Sequence, residues 1–385
     1  MSLRNPFKPG LPADPEFFGD RESQLKTFSE YLGYAISGNP NHMAVVGEAG
    51  IGKSSLLRKC DDIARARGCI SVRRELDVTV NSIQSLIIFL LEALRTDGSS
   101  NLPAKMRAKA KVKGFFASYK VGLSAFGFGG TLEKQQAPQI ALQDAFYKEL
   151  IHIWGGIEEN VPAIVFLLDE AEHLRAIDGG WSFLRSVFTR VGEQGGRYML
   201  VVSGRLGLFA GIKEKFSPIA RFLVPVYLKP MTAEEVKEVL EKPLLSFNRQ
   251  ITKDGVERVS ELSAGHPYVV QVFGFYLFED GATKIDADTV QRILPRVSSR
   301  LSGQLFEDRF DAASGAEKRV LLSMAEIRSP VSPKDVSKRT GMSEQDTPQI
   351  IRRLVGKDCL RKVERGKYVL FNPLFGDYVK GRMSK

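Results

Sequence analysis

The chain has 385 residues, 43% of them hydrophobic and 26% charged, which are ordinary proportions for a folded protein and exclude disordered, collagen-like and disulfide-scaffold classes. Its net charge of +10 is uneven: residues 312–385 hold 16 Lys/Arg against 8 Asp/Glu, residues 101–135 hold 7 against 1, and the remainder carries −4. No apolar run approaches the roughly 18 residues of a membrane span, the amino terminus lacks the apolar core of a secretory signal, and Cys60, Cys69, Cys359 and four histidines lack metal-ligand spacing.

A cytoplasmic, reducing location is therefore expected, with no membrane partner and no structural zinc. The two basic segments invite a polyanion or form solvated surface. The length implies two to three domains.

In chain order, residues 1–17 read as an extended arm rich in Pro, Gly and charge. Helical and strand patterns then alternate. A helix over 21–36 precedes an apolar strand at 43–46, a helix over 53–66, a strand at 69–72 and a helix over 82–94, with Asn81 and Ser82 as candidate caps. A Gly/Ser loop is expected at 97–103. In Lys105, Arg107, Lys109, Lys111 and Lys113 the two-residue period favours strand, while the intervening Ala and Met favour helix; both readings stand. The Gly/Phe-rich stretch 115–130 suggests a hairpin. Next come a helix over 140–154, a buried strand at 163–168, a helix over 181–191, and strands at 198–202 and 224–228. This alternation predicts an α/β domain with a parallel sheet over residues 1–230, carrying a basic insertion at 101–135. After Pro230 the strands stop. Helices at 233–240, 254–262, 267–278 and 287–293 predict a helical lid domain over 231–311, and residues 312–385 a third domain.

The strongest motif is Gly47-Glu48-Ala49-Gly50-Ile51-Gly52-Lys53-Ser54, a full GxxxxGK[ST] match between an apolar strand and a helix. Glycines let consecutive N–H groups turn toward phosphate oxygens, and the helix start adds positive potential. The motif predicts a P-loop NTPase sheet that binds ATP or ADP. Lys53 reaches the β and γ phosphates, Ser54 ligates Mg²⁺, and Ser55 follows in the same helix turn. A second acidic site is expected at a neighbouring strand end, where Asp169 would hold Mg²⁺ through water and Glu170 would polarise the attacking water. Glu172 and His173 read as structural. The next strand ends in Ser203-Gly204-Arg205, where Ser203 touches the γ-phosphate or the water and Arg205 senses its charge; a surface arginine is the plainer reading.

Together these Walker A and Walker B residues resemble the prokaryotic AAA+/STAND branch of P-loop ATPases, which contains archaeal origin-recognition (initiator) ATPases. Phe18-Gly19-Asp20-Arg21-Glu22 is similar to the family's adenine-side box, so Phe18 and Arg21 are implied nucleotide contacts. Gly265-His266-Pro267 resembles the Gly-x-Pro lid motif, which implies that His266 and Pro267 lie against nucleotide. Initiators commonly place a sensor arginine there; Gly-x-Pro is closer to STAND switches, which hold ADP tightly and hydrolyse slowly. Arg221 resembles the box that supplies an arginine finger to a neighbour in an ATP-dependent homo-oligomer, or is a loop arginine.

The last domain reads as helices at 316–325, 333–339 and one ending near 357, then a hairpin of 360–364 and 367–371 around Arg365-Gly366. The third helix starts either with a Ser343/Asp346 capping box or with Thr347 as cap and Pro348 just inside. This order is that of a winged helix, as at the carboxyl end of the resembled family. Gln349, Arg352 and Arg353 would face a major groove of double-stranded DNA, and Arg361, Lys362, Arg365 and Lys367 its backbone or minor groove. The alternative is a STAND-like signalling or defence ATPase, in which this module binds protein or regulates the ATPase.

Overall fold

The computed structural model describes residues 5–11, 19, 21–102, 109–119, 139–207, 219–327 and 330–384. The chain divides into two compact units. One holds residues 21–47 and 53–228; the other holds 1–20, 48–52 and 229–385.

The first unit is built on parallel strands β1 (His42–Val46), β2 (Ile70–Glu75), β3 (Ile164–Asp169), β4 (Tyr198–Gly204) and β5 (Leu223–Tyr227). Their spatial order is β2-β3-β4-β1-β5. This is the parallel α/β architecture of P-loop AAA+ ATPases. β1, β3 and β4 are buried along their whole length. That is why they read as unbroken apolar runs instead of alternating ones. Phe166 and Tyr198 stack at 6.4 Å in the core, and the Tyr198 hydroxyl donates to the Leu150 carbonyl at 2.8 Å. His42 is buried at the start of β1, where burial lowers its pKa to about 4. The neutral ring accepts the Leu200 N–H at Nδ1, 3.0 Å.

The expected elements form, with two corrections in this unit. The helix capped by Ser82 runs to Ser100, through the stretch expected to be a loop at 97–103. Gly98 serves packing there: a Cβ on it would lie 2.3 Å from the Phe116 ring. Asp97 is buried and paired with Arg74 at 3.1 Å. Phe116 belongs to a helix, Lys109–Ser118, so residues 109–113 are helical and 115–118 are not part of a hairpin. Phe115 and Phe116 pack against small residues (Gly156 and Gly98) of neighbouring helices, and that burial outweighs the two-residue charge period. Residues 103–108 and 120–138 of the basic insertion lie outside the described residues.

In the second unit, helices Ala233–Leu245, Lys253–Ser263, Pro267–Asp280 and Ala287–Leu301 form in order. Two of them continue beyond the expected ends at 240 and 293, with Pro243 and Pro295 inside the helices. Strands are also present after Pro230: β6 (Gln250–Ile251) and β7 (Lys284–Ile285) form a two-residue parallel pair, too short to show periodicity. Gly265 adopts φ +66°, and a Cβ there would lie 2.1 Å from the Met231 carbonyl oxygen. Only glycine permits that approach. Of the expected arm, Phe7 is buried beside Gly274.

Helices Gly315–Ile327, Pro333–Thr340 and Thr347–Gly356 then precede an antiparallel hairpin of β8 (Leu360–Glu364) and β9 (Lys367–Leu370). Asp346 is the cap of the third helix and makes no side-chain cap bond; Thr347 lies inside the first turn, so neither expected start is the observed one. A further helix, Pro373–Met383, follows the hairpin, beyond the elements read from the sequence. Its Phe375 and Tyr378 join Phe306 and Phe371 in one aromatic cluster. The segments before and after residue 312 therefore share a hydrophobic core. No helix among the described residues is long and apolar enough to cross a membrane.

Glu317 ties the first and third of these C-terminal helices. It accepts Arg353 Nε at 3.1 Å, Lys357 Nζ at 2.7 Å and the Ser314 N–H at 2.8 Å. Burial opposes its ionisation, but Lys357, the Ser314 N–H and Arg353 outweigh it and hold the pKa at about 2. A carboxyl depressed in the folded state stabilises above its unfolded pKa of 4.5, and that contribution is lost as pH falls from 4.5 toward 2. Glu317→Gln should lower the melting temperature at pH 7 by about 2–4 °C and flatten its acid dependence in that window, measured by thermal melts from pH 2 to 7.

Candidate functional site

The carboxyl ends of β1, β3 and β4 lie side by side because their register pairs Val46 with Gly204 and Leu168 with Val202. The Gly47 N–H donates to the Gly204 carbonyl at 3.1 Å, so the phosphate loop leaves β1 from a fixed backbone. Lys53 is buried at the start of helix Lys53–Ala66 and donates from Nζ to the Gly47 carbonyl at 3.2 Å. Ser54 and Ser55 are half-buried in the same turn.

Asp169 ends β3 and is mostly buried. Its Oδ1 accepts the Ser203 hydroxyl and the Glu170 N–H, the latter at 3.0 Å. Ser203 is fully buried at the end of β4, so this pair fixes the carboxylate's orientation. Glu170 adopts φ 51° in the left-handed region, a strained turn that a non-glycine residue holds only where its surroundings impose it. Burial raises the Glu170 pKa; Glu172 and Asp169 add to that rise, while Lys53 and Arg205 oppose it. A carboxylate of raised basicity at a strand end suits the activation of water. Glu172, read from sequence as structural, accepts the Arg205 N–H and holds the β4 exit. The Arg205 side chain is exposed.

Ser54 and Asp169 offer hard oxygen donors, which fits Mg²⁺: this ion takes one or two protein oxygens and completes its shell with phosphate and water. Among the described residues no cluster of three His, Cys, Asp or Glu could hold a metal ion by itself. Of the adenine-side box, Phe18 lies outside the described residues. Arg21 is buried before helix Glu22–Ile36. Arg221 is exposed and precedes β5. Since β5 runs parallel to β1, Arg221 sits at the opposite sheet end from Lys53, beside a cleft of about 500 Å³ lined by Asn39, Asn41 and Arg185.

The tip of the phosphate loop, residues 48–52, belongs to the second unit. Gly50 and Gly52 take φ +80° and +97°, the backbone curl the motif requires. The Ala49 carbonyl accepts His266 Nε2 at 3.1 Å and Arg309 Nη2 at 3.4 Å, and the Gly50 carbonyl accepts the Tyr268 N–H at 3.3 Å. A Cβ on Gly50 would lie 2.8 Å from the His266 ring. His266, Pro267 and the loop are thus brought together, with Ile51 buried among them. From the hairpin side, Asp358 Oδ2 accepts the Ala49 N–H at 3.1 Å, and Arg361 Nε donates to both Glu48 oxygens at 2.8 Å. Sequence reasoning missed Tyr268, Arg309 and Asp358, which sit in no motif, and it read Arg361 as a wing residue. Gln349, Arg352, Lys362 and Arg365 are exposed, and Lys367 is half-buried. Arg353 is exposed yet paired with Glu317.

A family model described as an AAA ATPase domain matches residues 16–202, and one described as a domain of unknown function (DUF8462) matches residues 303–379. No curated protein matches the sequence. The fold is similar to that of a Walker-type ATPase of Pyrococcus abyssi, with a TM-score of 0.65 and 18% identity over 97% of this chain and 99% of that one. It is also similar to Cdc6p of Pyrobaculum aerophilum, with a TM-score of 0.50 and 13% identity over 98% of each chain. If the Ser203–Asp169 pair orients the Mg²⁺-side carboxylate, Ser203→Ala should cut ATP turnover about tenfold or more while nucleotide affinity changes little, measured by phosphate release and calorimetry.

Proposed function

With an ATP-hydrolysing AAA domain over residues 16–202, we propose that the protein is a slow, Mg²⁺-dependent ATP switch that binds duplex DNA through its C-terminal helices and hairpin, read as a winged helix. The observation that carries the switch is that the loop leading to Lys53 leaves β1 beside the ends of β4 and β3, where Ser203 bonds Asp169.

In this reading the curled loop N–H groups and Lys53 bind the phosphates, and Ser54 with water-linked Asp169 would hold Mg²⁺, which neutralises phosphate charge when bound. Glu170, with its raised pKa, orients and polarises the attacking water. His266 and Pro267 carry the lid to the loop. Arg221 lies at least a strand's length from its own Lys53, roughly 13–16 Å for a five-residue strand. As an arginine finger it would act on the phosphate of a second copy of the chain, in an ATP-dependent homo-oligomer.

DNA binding is supported by the net +8 of residues 312–385 and by the exposed Gln349 and Arg352 on the third helix. Lys362, Arg365 and Lys367 supply phosphate contacts. A second reading, a STAND-like switch whose C-terminal module regulates the ATPase, is favoured by the contacts of Asp358 and Arg361 with the phosphate loop.

Lys53→Ala should abolish ATP binding in calorimetry. Glu170→Gln should retain binding while hydrolysis falls by orders of magnitude; equal turnover in both proteins would sink the assignment of Glu170. In a duplex-binding titration with ADP and with ATP, the three phosphate contacts imply a log–log salt slope of about −3. Arg365→Ala with Lys367→Ala should reduce that magnitude by about 2 on every sequence. A wild type that binds no duplex at low salt in either nucleotide leaves the STAND-like reading.

A further inference from the structure

Three consecutive residues of the phosphate loop, Glu48, Ala49 and Gly50, are gripped from outside it, for the most part by groups that sit in no nucleotide motif. Ala49 is held on both sides of its backbone: its N–H donates to Asp358 Oδ2, and its carbonyl takes His266 and Arg309. Arg309 also donates from Nε to the Asp358 carbonyl at 3.1 Å and from Nη1 to the Leu305 carbonyl at 2.9 Å, and its guanidinium lies 4.3 Å from the centre of the Phe371 ring. Glu48 is buried with Arg361, whose Nη1 reaches the Ala264 carbonyl at 3.3 Å. Asp358 itself is almost wholly buried and adopts φ 55°. A left-handed aspartate in a buried turn is held there by its partners.

The chemistry of these contacts is that of an anion site already filled. Backbone N–H groups of a curled glycine loop attract anions, and here a side-chain carboxylate takes one of them. Two carboxylates, Asp358 and Glu48, stand on the stretch that must receive the phosphates of a nucleotide. Asp358 adds to the burial that raises the Glu48 pKa, while Arg361 and Arg309 oppose it. Arg361, the first basic residue of the hairpin, is spent on Glu48 and is not presented to a polyanion.

We infer that Asp358 and Arg361 form a latch on the phosphate loop, which nucleotide phosphate must displace, so that ATP binding loosens the C-terminal hairpin and closing of the hairpin weakens ATP binding. The latch rests on the reading of residues 47–55 as the phosphate site. Coupling of this kind is reciprocal: whatever factor by which nucleotide opens the latch, removing the latch tightens nucleotide. It also links the two functional readings, since the hairpin that would face DNA is the one held to the loop.

The test measures ATP affinity by calorimetry in the full chain. Asp358→Ala and Arg361→Ala should each tighten ATP binding about fivefold or more, with Asp358→Asn as the shape-preserving variant. Amide hydrogen exchange of the wild type needs no variant, and MgATP should raise exchange across residues 358–371. Unchanged or weaker ATP binding in folded Asp358→Ala and Arg361→Ala, or unchanged or lowered exchange at 358–371 on adding MgATP, overturns the latch. Lys53→Ala separates the two failures. If it abolishes binding while the latch variants bind as wild type does, the phosphate site stands and the latch falls. If it binds ATP as wild type does, the phosphate-site reading falls, and the latch with it.

Discussion

The pairing of β1 between β4 and β5 is the constraint on which the rest of the ATPase site depends. Because β1 and β4 are buried along their whole length, their side chains interlock with close-packed neighbours on both faces, and a slip of one residue in register would break that packing. That register sets Val46 beside Gly204 and Leu168 beside Val202. The ladder continues past the strands through Gly47 N–H to Gly204 and Leu228 N–H to Val46. Lys53, Asp169 and Ser203 inherit their positions from backbone hydrogen bonds, which is why three short sequence segments far apart in the chain converge without long side chains reaching across space.

A buried cation organises the second unit in a comparable way. Arg309 cannot be desolvated without partners, and it finds them in three carbonyls and an aromatic face: Leu305, Asp358, Ala49 and Phe371. The same Phe371 contacts the His266 ring at 5.9 Å, joining the lid motif to the end of the hairpin. Asn372 extends the junction by donating to the Leu262 and Ser263 carbonyls, 3.1 and 2.9 Å away, while its Oδ1 caps the final helix at Leu374. The loop tip, the lid helices and the hairpin are therefore connected by polar groups that would each be costly to leave unsatisfied.

Much of this architecture was legible because it is local or periodic. The motif at 47–54, the apolar run into Asp169 and the helices on either side all announce themselves through spacing and residue type. The misread elements are of other kinds. Gly98 looks like a loop residue until Phe116 packs on it, the helices expected to end at 240 and 293 run on through Pro243 and Pro295, and β6 and β7 are too short to show any period. At Gly98 a contact distant in sequence overrode the local preference.

The sequence by itself determined the chemistry that needs only a short segment: a glycine loop that curls toward phosphate, a lysine and a serine at the start of its helix, and an acidic pair closing a buried strand. These depend on backbone conformation and neighbouring residue type, which are written within about ten positions. Tertiary structure alone decided that Ser203 bonds Asp169, that Arg353 and Lys357 converge on Glu317, and that Arg361 and Asp358 meet residues 48 and 49 across some three hundred positions. An aspartate and an arginine in a hairpin carry no mark of their partner. The partner is chosen by which buried surfaces pack together, and by the cost of leaving a charge there unpaired.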